Sequence, residues 1–201
     1  HGEIKKMIVQ MPPQHGKSEG SSRKLPAFML GLNPDTKICI GSYAATIARD
    51  FNRDVQRIID TPKYREIFPK TFLNGSNVVT MTNTYLRNSD VIEMVGHKGS
   101  LRVVGRGGAL TSKTVDVMIM DDVYKDYSEG NSPIVRNAAW KWYTTVVKKR
   151  LHNKSQELIV FTRWHEEDLI GKIEKGGEKI IDIKSWDSIK NIPDGAWVRI
   201  N

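Results

Sequence analysis

Apolar positions along the chain fall into short runs separated by polar or turn-rich breaks, and the runs switch between two periods. Residues 6–10 form one apolar run that Pro12 and Pro13 end, which reads as a buried strand followed by a loop. From 17 to about 32 the pattern becomes helical. Pro26 lies inside it, so the helix is expected to kink or end near Leu25. Residues 37–43 read as a second strand. Ile47, Phe51, Val55, Ile58 and Ile59 then share one face of a helix expected over 45–60, with a short extra turn at 62–68. The stretch 74–112 is rich in Gly, Thr and Asn and carries candidate strands at 78–82, 91–95 and 101–104. Residues 115–120 are almost continuously apolar and end in Asp121 and Asp122, as a central strand of a parallel sheet does. Ser132 and Pro133 suit the N-cap and first position of a helix reaching about 151. A strand at 156–162, a short helix at 166–174 and a last strand at 179–186 complete the pattern. Strands alternating with helices predict an α/β fold, a mainly parallel central sheet flanked by helices.

Composition changes this picture little. The 201 residues suit one domain, and no apolar run approaches the roughly 18 residues that span a bilayer. The single cysteine, Cys39, lies in an apolar strand pattern, so it forms no internal disulfide and suits a reducing compartment. A formal net charge of +8 favours contact with phosphate polyanions.

Candidate chemistry begins after the first strand. Gln14, His15, Gly16, Lys17, Ser18 and Glu19 follow that strand and open a helix, the context of a phosphate-binding loop. A glycine lets the backbone approach phosphate, and a helix N-terminus supplies free N–H groups and a positive dipole end. Lys17 is the residue expected to reach the β- and γ-phosphates, and the Ser18 hydroxyl to hold Mg²⁺. Met11 occupies the position where the usual pattern has its first glycine. His15 has no second metal ligand at a helical or hairpin spacing and reads as a loop residue beside phosphate. The acidic strand end supplies the carboxylates that nucleotide hydrolysis needs: Asp121 for the Mg²⁺ ion, through water, and Asp122 as the base that orients the attacking water. The substrate and cofactor expected are ATP and Mg²⁺.

Three further segments narrow the class. Gly105 to Thr111 (GRGGALT) precedes the acidic strand, Phe161 to Leu169 (FTRWHEEDL) follows the next one, and residues 38–41 lead into Ser42, Tyr43 and a helix containing Ala48 and Arg49. With the loop at 12–19, their order and spacing resemble the ATPase domain of large terminase subunits from tailed phages and prophages, over residues 6 to about 173. The resemblance implies a P-loop NTPase of the additional-strand, RecA-like type, with the phosphate loop and the acidic strand on adjacent central strands. It implies that Thr162 and Arg163 belong to the motif coupling hydrolysis to motion, with Trp164 either part of that motif or core packing. It makes Arg106 the arginine-finger candidate, with Lys113 as the rival; a guanidinium there could neutralise charge on the transferred phosphoryl group. Ser112, Lys113 and Val123 depart from the family pattern without removing a catalytic group.

The function that follows is ATP hydrolysis driving double-stranded DNA into a viral procapsid. The implied partners are double-stranded DNA, the portal protein and the small terminase subunit, with a homo-oligomeric ring as the assembled form and the bacterial host cytoplasm as the setting; no membrane is involved. Residues 1–186 are expected to be the motor domain and 187–201 the start of a linker toward a nuclease domain that this chain does not contain, so no DNA cleavage is expected. Lys148, Lys149 and Arg150 are either backbone contacts for DNA or cations complementing a helix C-terminus. Two other readings remain at this point: another P-loop DNA motor such as a helicase, and a scaffold that binds DNA or portal protein without turnover.

Overall fold

The computed structural model describes residues 4–12, 14–76, 84–110, 114–183, 192–193 and 195–200. Its centre is an eight-stranded sheet in the order β3-β4-β2-β5-β6-β1-β8-β7. The strands are β1 (Lys6–Val9), β2 (Lys37–Ser42), β3 (Val91–Glu93), β4 (Ser100–Gly105), β5 (Val115–Asp121), β6 (Leu151–Val160), β7 (Ile180–Asp182) and β8 (Trp197–Ile200). Each neighbouring pair is parallel except β3 with β4. The helices are α1 (Leu25–Leu32), α2 (Ala45–Ile59), α3 (Pro62–Ile67), α4 (Tyr127–Asn131), α5 (Pro133–Trp142) and α6 (Leu169–Lys175). Among the described residues, no helix is long and apolar enough to cross a membrane.

The two-residue period of the strands divides the core into two layers. Ile38, Ile40, Val117, Ile119, Leu158 and Val160 pack with Leu30, Phe51, Val55 and Ile59 from α1 and α2. Cys39, Met118, Met120, Ile159 and Phe161 point the other way and pack with Trp142, Tyr143, Ile170 and Trp197. Successive side chains of a strand face opposite sides, so a central strand buried on both faces must be apolar at every position. Each fully buried Ile or Leu contributes about 1.5–3 kcal/mol, which is why the apolar runs, rather than any polar motif, place the central strands. Cys39 is buried, and burial pushes its thiol up to about 12, so it serves as packing.

Three expectations change here. The chain does not leave the helix at Pro26. A π-helical segment, Glu19–Lys24, runs into α1, and the Leu25 N–H bonds to the Gly20 carbonyl five residues back. A proline removes the N–H that would reach four residues back and crowds that carbonyl; a wider π turn just before it makes room without breaking the helix. Strand β6 begins at Leu151, not 156, because its first residues, His152, Asn153 and Lys154, are exposed and carry no apolar signature. Trp197–Ile200, in the segment read as the start of a linker, forms β8 inside the sheet between β1 and β7. The expected strand at 78–82 and the end of the last strand at 184–186 lie outside the described residues, as do Lys113 and residues 187–191.

Candidate nucleotide site

The candidate site stands at the carboxyl ends of three consecutive strands. β1 ends at Val9 and leads into the loop at 10–18; β5 ends at Asp121; β6 ends at Val160, two residues before Thr162. The sheet order is β5-β6-β1, so the phosphate loop and the acidic strand are not adjacent as expected. β6 lies between them, paired in parallel register with both. That insertion gives the site its centre, because it brings Thr162 between the other two groups.

Lys17 joins all three. Its Nζ donates to Asp122 Oδ1 at 2.6 Å and to Thr162 Oγ1 at 3.1 Å, and Thr162 Oγ1 donates to the Met11 carbonyl at 3.1 Å. The Lys17 side chain is only 9% exposed, whereas that of Asp122 is 33% exposed. The loop that carries Lys17 turns through left-handed backbone at Gln14, with φ of 63°, and at Gly16, with φ of 76°. Glycine adopts that conformation freely; for glutamine it is uncommon. Asp122 is a third such position, with φ of 45°. A non-glycine residue held there costs on the order of 1 kcal/mol and persists only where its surroundings fix it. The Asp122 N–H donates to the Val160 carbonyl at 3.0 Å, and its carbonyl accepts the Tyr43 N–H at 2.9 Å.

Asp121 differs from its neighbour in every respect. It is fully buried. Ser22 Oγ donates to Asp121 Oδ2 at 2.5 Å, while Oδ1 is buried without a hydrogen-bond partner. Burial pushes its carboxyl up to about 6; hydrogen bonds from Ser22 and Ser18 and the charge of Lys17 pull down, and Asp122 pushes up. A buried carboxylate oxygen without a partner is expensive unless a ligand takes it, so the donor set of Ser18 and Asp121 fits a divalent cation. Ser22 is a site residue that the sequence reading missed. Its signal was present, since it follows Ser18 by one helical turn on the same helix.

Gln14, Gly16, Lys17, Ser18, Glu19, Arg23 and Asp122 line an open cavity of about 310 Å³. His15 is exposed at the loop tip. Glu19 pairs with Lys24 and Arg23 along its own helix, at 3.3 Å and 3.8 Å.

Two expected site residues face elsewhere. Arg163 Nε bonds Asp168, the N-cap of α6, at 2.8 Å, and its guanidinium lies 3.7 Å from Glu174. It braces α6 and is not part of the Lys17 cluster. Arg106 Nη1 donates to the Val123 carbonyl at 2.6 Å and to Glu129 Oε2 at 2.8 Å, so in this geometry its side-chain bonds go to the turn after β5 and not to the phosphate loop. Trp164 packs edge-on against Tyr127 and so closely over Gly130 that a Cβ there would lie 2.3 Å from the Trp164 Cβ; it is packing.

The sheet order and the loops at its carboxyl edge define a RecA-like α/β domain. The chain belongs to the family described as terminase large subunit, T4likevirus-type, N-terminal, whose profile matches residues 8–198. Among solved structures, the large terminase ATPase domain of Thermus phage P74-26 is similar in fold, with a TM-score of 0.62 at 16% identity over 98% of this chain and 76% of that one. A mutant form of the same domain gives a TM-score of 0.50 at 16% identity, over 78% of this chain and 59% of that one. The large terminase of bacteriophage HK97 gives 0.52 at 13% identity, over 86% of this chain and 33% of that one. The chain thus spans about a third of the HK97 protein's length. No curated protein matches the chain.

Proposed function

We propose that this chain is a Mg²⁺-dependent ATPase whose turnover drives double-stranded DNA into a viral procapsid. The observation that carries the reading is the Lys17 bridge: one lysine on the phosphate loop bonds both the acid at the end of β5 and the hydroxyl beyond β6. Lys17 and the N–H groups opening the helix at Ser18 bind the β- and γ-phosphates. Asp122, partly exposed and left-handed in its backbone, accepts a proton from the attacking water and orients it. Ser18 and Asp121 hold the metal ion, which when bound offsets charge on the phosphate oxygens. Thr162, sharing Lys17 with Asp122, registers the exchange of that lysine between carboxylate and phosphate and passes it to β6 and to Met11 at the start of the phosphate loop.

Double-stranded DNA, the portal protein and the small terminase subunit are the partners of this reading, with a ring of copies as the assembled motor in the host cytoplasm. The motor unit of this proposal includes β8, because that strand lies inside the sheet between β1 and β7. The test is phosphate release by the wild type and by Lys17→Ala, with and without DNA. Release should fall about 10²–10³-fold in the variant, as for loss of a group that stabilises transferred phosphoryl charge. Equal release by the two proteins would overturn the ATPase reading.

A further inference from the structure

Arg106 is the strongest polar contact near the site that the scheme above leaves without a task. It belongs to the loop after β4, and three segments meet on it. Its backbone N–H donates to the Ser42 carbonyl at the end of β2, at 2.7 Å. Its Nη1 donates to the carbonyl of Val123, the residue after Asp122, at 2.6 Å. The same nitrogen lies 2.8 Å from Glu129 Oε2 in α4. Glu129 is held in turn: it accepts the Lys125 N–H at 2.9 Å, and its own N–H donates to Asp126, the N-cap of α4, at 3.0 Å. Val123 is fully buried, and the Arg106 side chain is only 16% exposed. The Arg106 hydrogen bond holds the Glu129 carboxyl below the usual carboxylate range against a partial burial penalty.

These bonds enclose the one strained residue of the acidic strand end. Asp122 is left-handed at φ of 45°. Its own N–H and C=O are tied to β6 and to Tyr43, the Val123 and Tyr124 side chains are buried in the core, and the next carbonyl of the turn, that of Val123, is held by Arg106. We infer that Arg106 is a positioning residue: with Glu129 as its counter-ion, it clamps the Val123 carbonyl and so holds the left-handed turn that aims the Asp122 carboxylate at Lys17. A guanidinium suits this task because it is planar, always charged and rich in donors, so one group serves a carbonyl and a carboxylate at once. An Arg106 that reached a phosphate would have to release a buried carbonyl and strand the Glu129 carboxylate. The inference rests on Asp122 being the base.

The experiment compares wild type, Arg106→Ala, Arg106→Lys, Glu129→Gln and the Arg106→Ala/Glu129→Gln double variant. Three quantities are read: steady-state ATP turnover, binding of a fluorescent ATP analogue, and amide hydrogen exchange over residues 120–126. Arg106→Ala and Glu129→Gln should each lower kcat roughly ten- to a hundred-fold, the range for a misplaced catalytic group, with analogue affinity and KM within about two-fold. The double variant should be no worse than the poorer single variant, because both break one clamp. Arg106→Lys should recover part of the loss. Exchange over 120–126 should accelerate alike in Arg106→Ala and Glu129→Gln. A Glu129→Gln variant that turns over as fast as wild type, beside an Arg106→Ala variant that is dead, would overturn the clamp in favour of a phosphate-contacting arginine. Additive losses would also overturn it. Unchanged exchange in both single variants overturns it even if the wild type shows no turnover, in which case the ATPase reading fails as well. Accelerated exchange with an inactive wild type would retain the clamp and reject only the ATPase reading.

Discussion

At the amino ends of β1 and β8 the charged groups near the core are matched in pairs. Glu157, only 5% exposed, accepts the Tyr143 hydroxyl at 2.8 Å and Lys148 Nζ at 2.9 Å. Glu178 accepts Lys6 Nζ at 2.7 Å and the Trp197 indole N–H at 2.5 Å. Lys6 also stands over the Trp197 ring, and Lys148 over the Tyr143 ring. At the carboxyl end of the same sheet the polar groups are poorly matched. Asp121 keeps one buried oxygen without a partner, and Gln14 and Asp122 hold left-handed backbone. One end spends its charges on mutual contacts and ties β1, β6 and β8 together. The other holds strain and unmet bonding capacity, which is where a ligand and a reaction are expected.

Breaking the two ends should therefore give different losses. Asp122→Asn should produce the largest: ATP turnover should fall about 10²–10⁴-fold, as for loss of a general base, with the thermal midpoint unchanged, since asparagine tolerates left-handed backbone. Turnover within ten-fold of wild type would remove Asp122 from the base role. Glu157→Ala should cost about 2 kcal/mol of stability in urea melts, because it strands the buried Tyr143 hydroxyl and one ammonium. The loss is limited by Lys148, which is 30% exposed and can return to water. Turnover per folded molecule should not change; a selective loss of turnover would mean that the two ends are coupled.

Acidification separates the ends in a third way. The Asp121 carboxyl sits at about 6, above its ordinary 3.8. Its contribution to stability is therefore full below about 3.8 and lost as pH rises through about 6, whereas metal binding needs the ionised form and strengthens over the same rise. Mn²⁺ affinity, read by electron paramagnetic resonance with nucleotide present, should be about ten-fold weaker at pH 5 than at pH 7.5. A flat profile would count against Asp121 as the metal group. The smallest effect is expected for Ser22→Ala. With Asp121 Oδ2 no longer held, Mn²⁺ should bind up to about ten-fold more weakly, and the lost buried hydrogen bond should cost about 1 kcal/mol in the melting curve.

Much of this was legible in the chain. The apolar run of β5 marked both a central strand and the place where two carboxylates emerge, and the loop at 14–18 stood out as a candidate site because Gly16, Lys17 and Ser18 are consecutive between a strand and a helix. The strand at 37–43 was also legible, while the division of Ile38, Cys39 and Ile40 between two core layers came from the structure. Less was legible where the determinant is a partner far along the chain. β8 had a local signal, Ala196, Trp197 and Val198 after Pro193, but its short run gains meaning only from β1 and β7 beside it. The exposed start of β6 had no apolar signal at all.

What the sequence determined by itself was the α/β alternation, the helix start at Ser132, and Lys17, Asp121 and Asp122 as candidate chemical groups. These follow from periodicity, capping and motif spacing, all of which act over a few residues. What only the tertiary structure decided was who meets whom: β6 inserted between β1 and β5, Lys17 shared by Asp122 and Thr162, Ser22 placed on Asp121, and Arg106 turned toward Glu129. Those contacts join residues 23 to 145 positions apart. No local pattern encodes such a pairing, because it is settled by which strands hydrogen-bond to each other and which side chains the two core layers bring to the same edge.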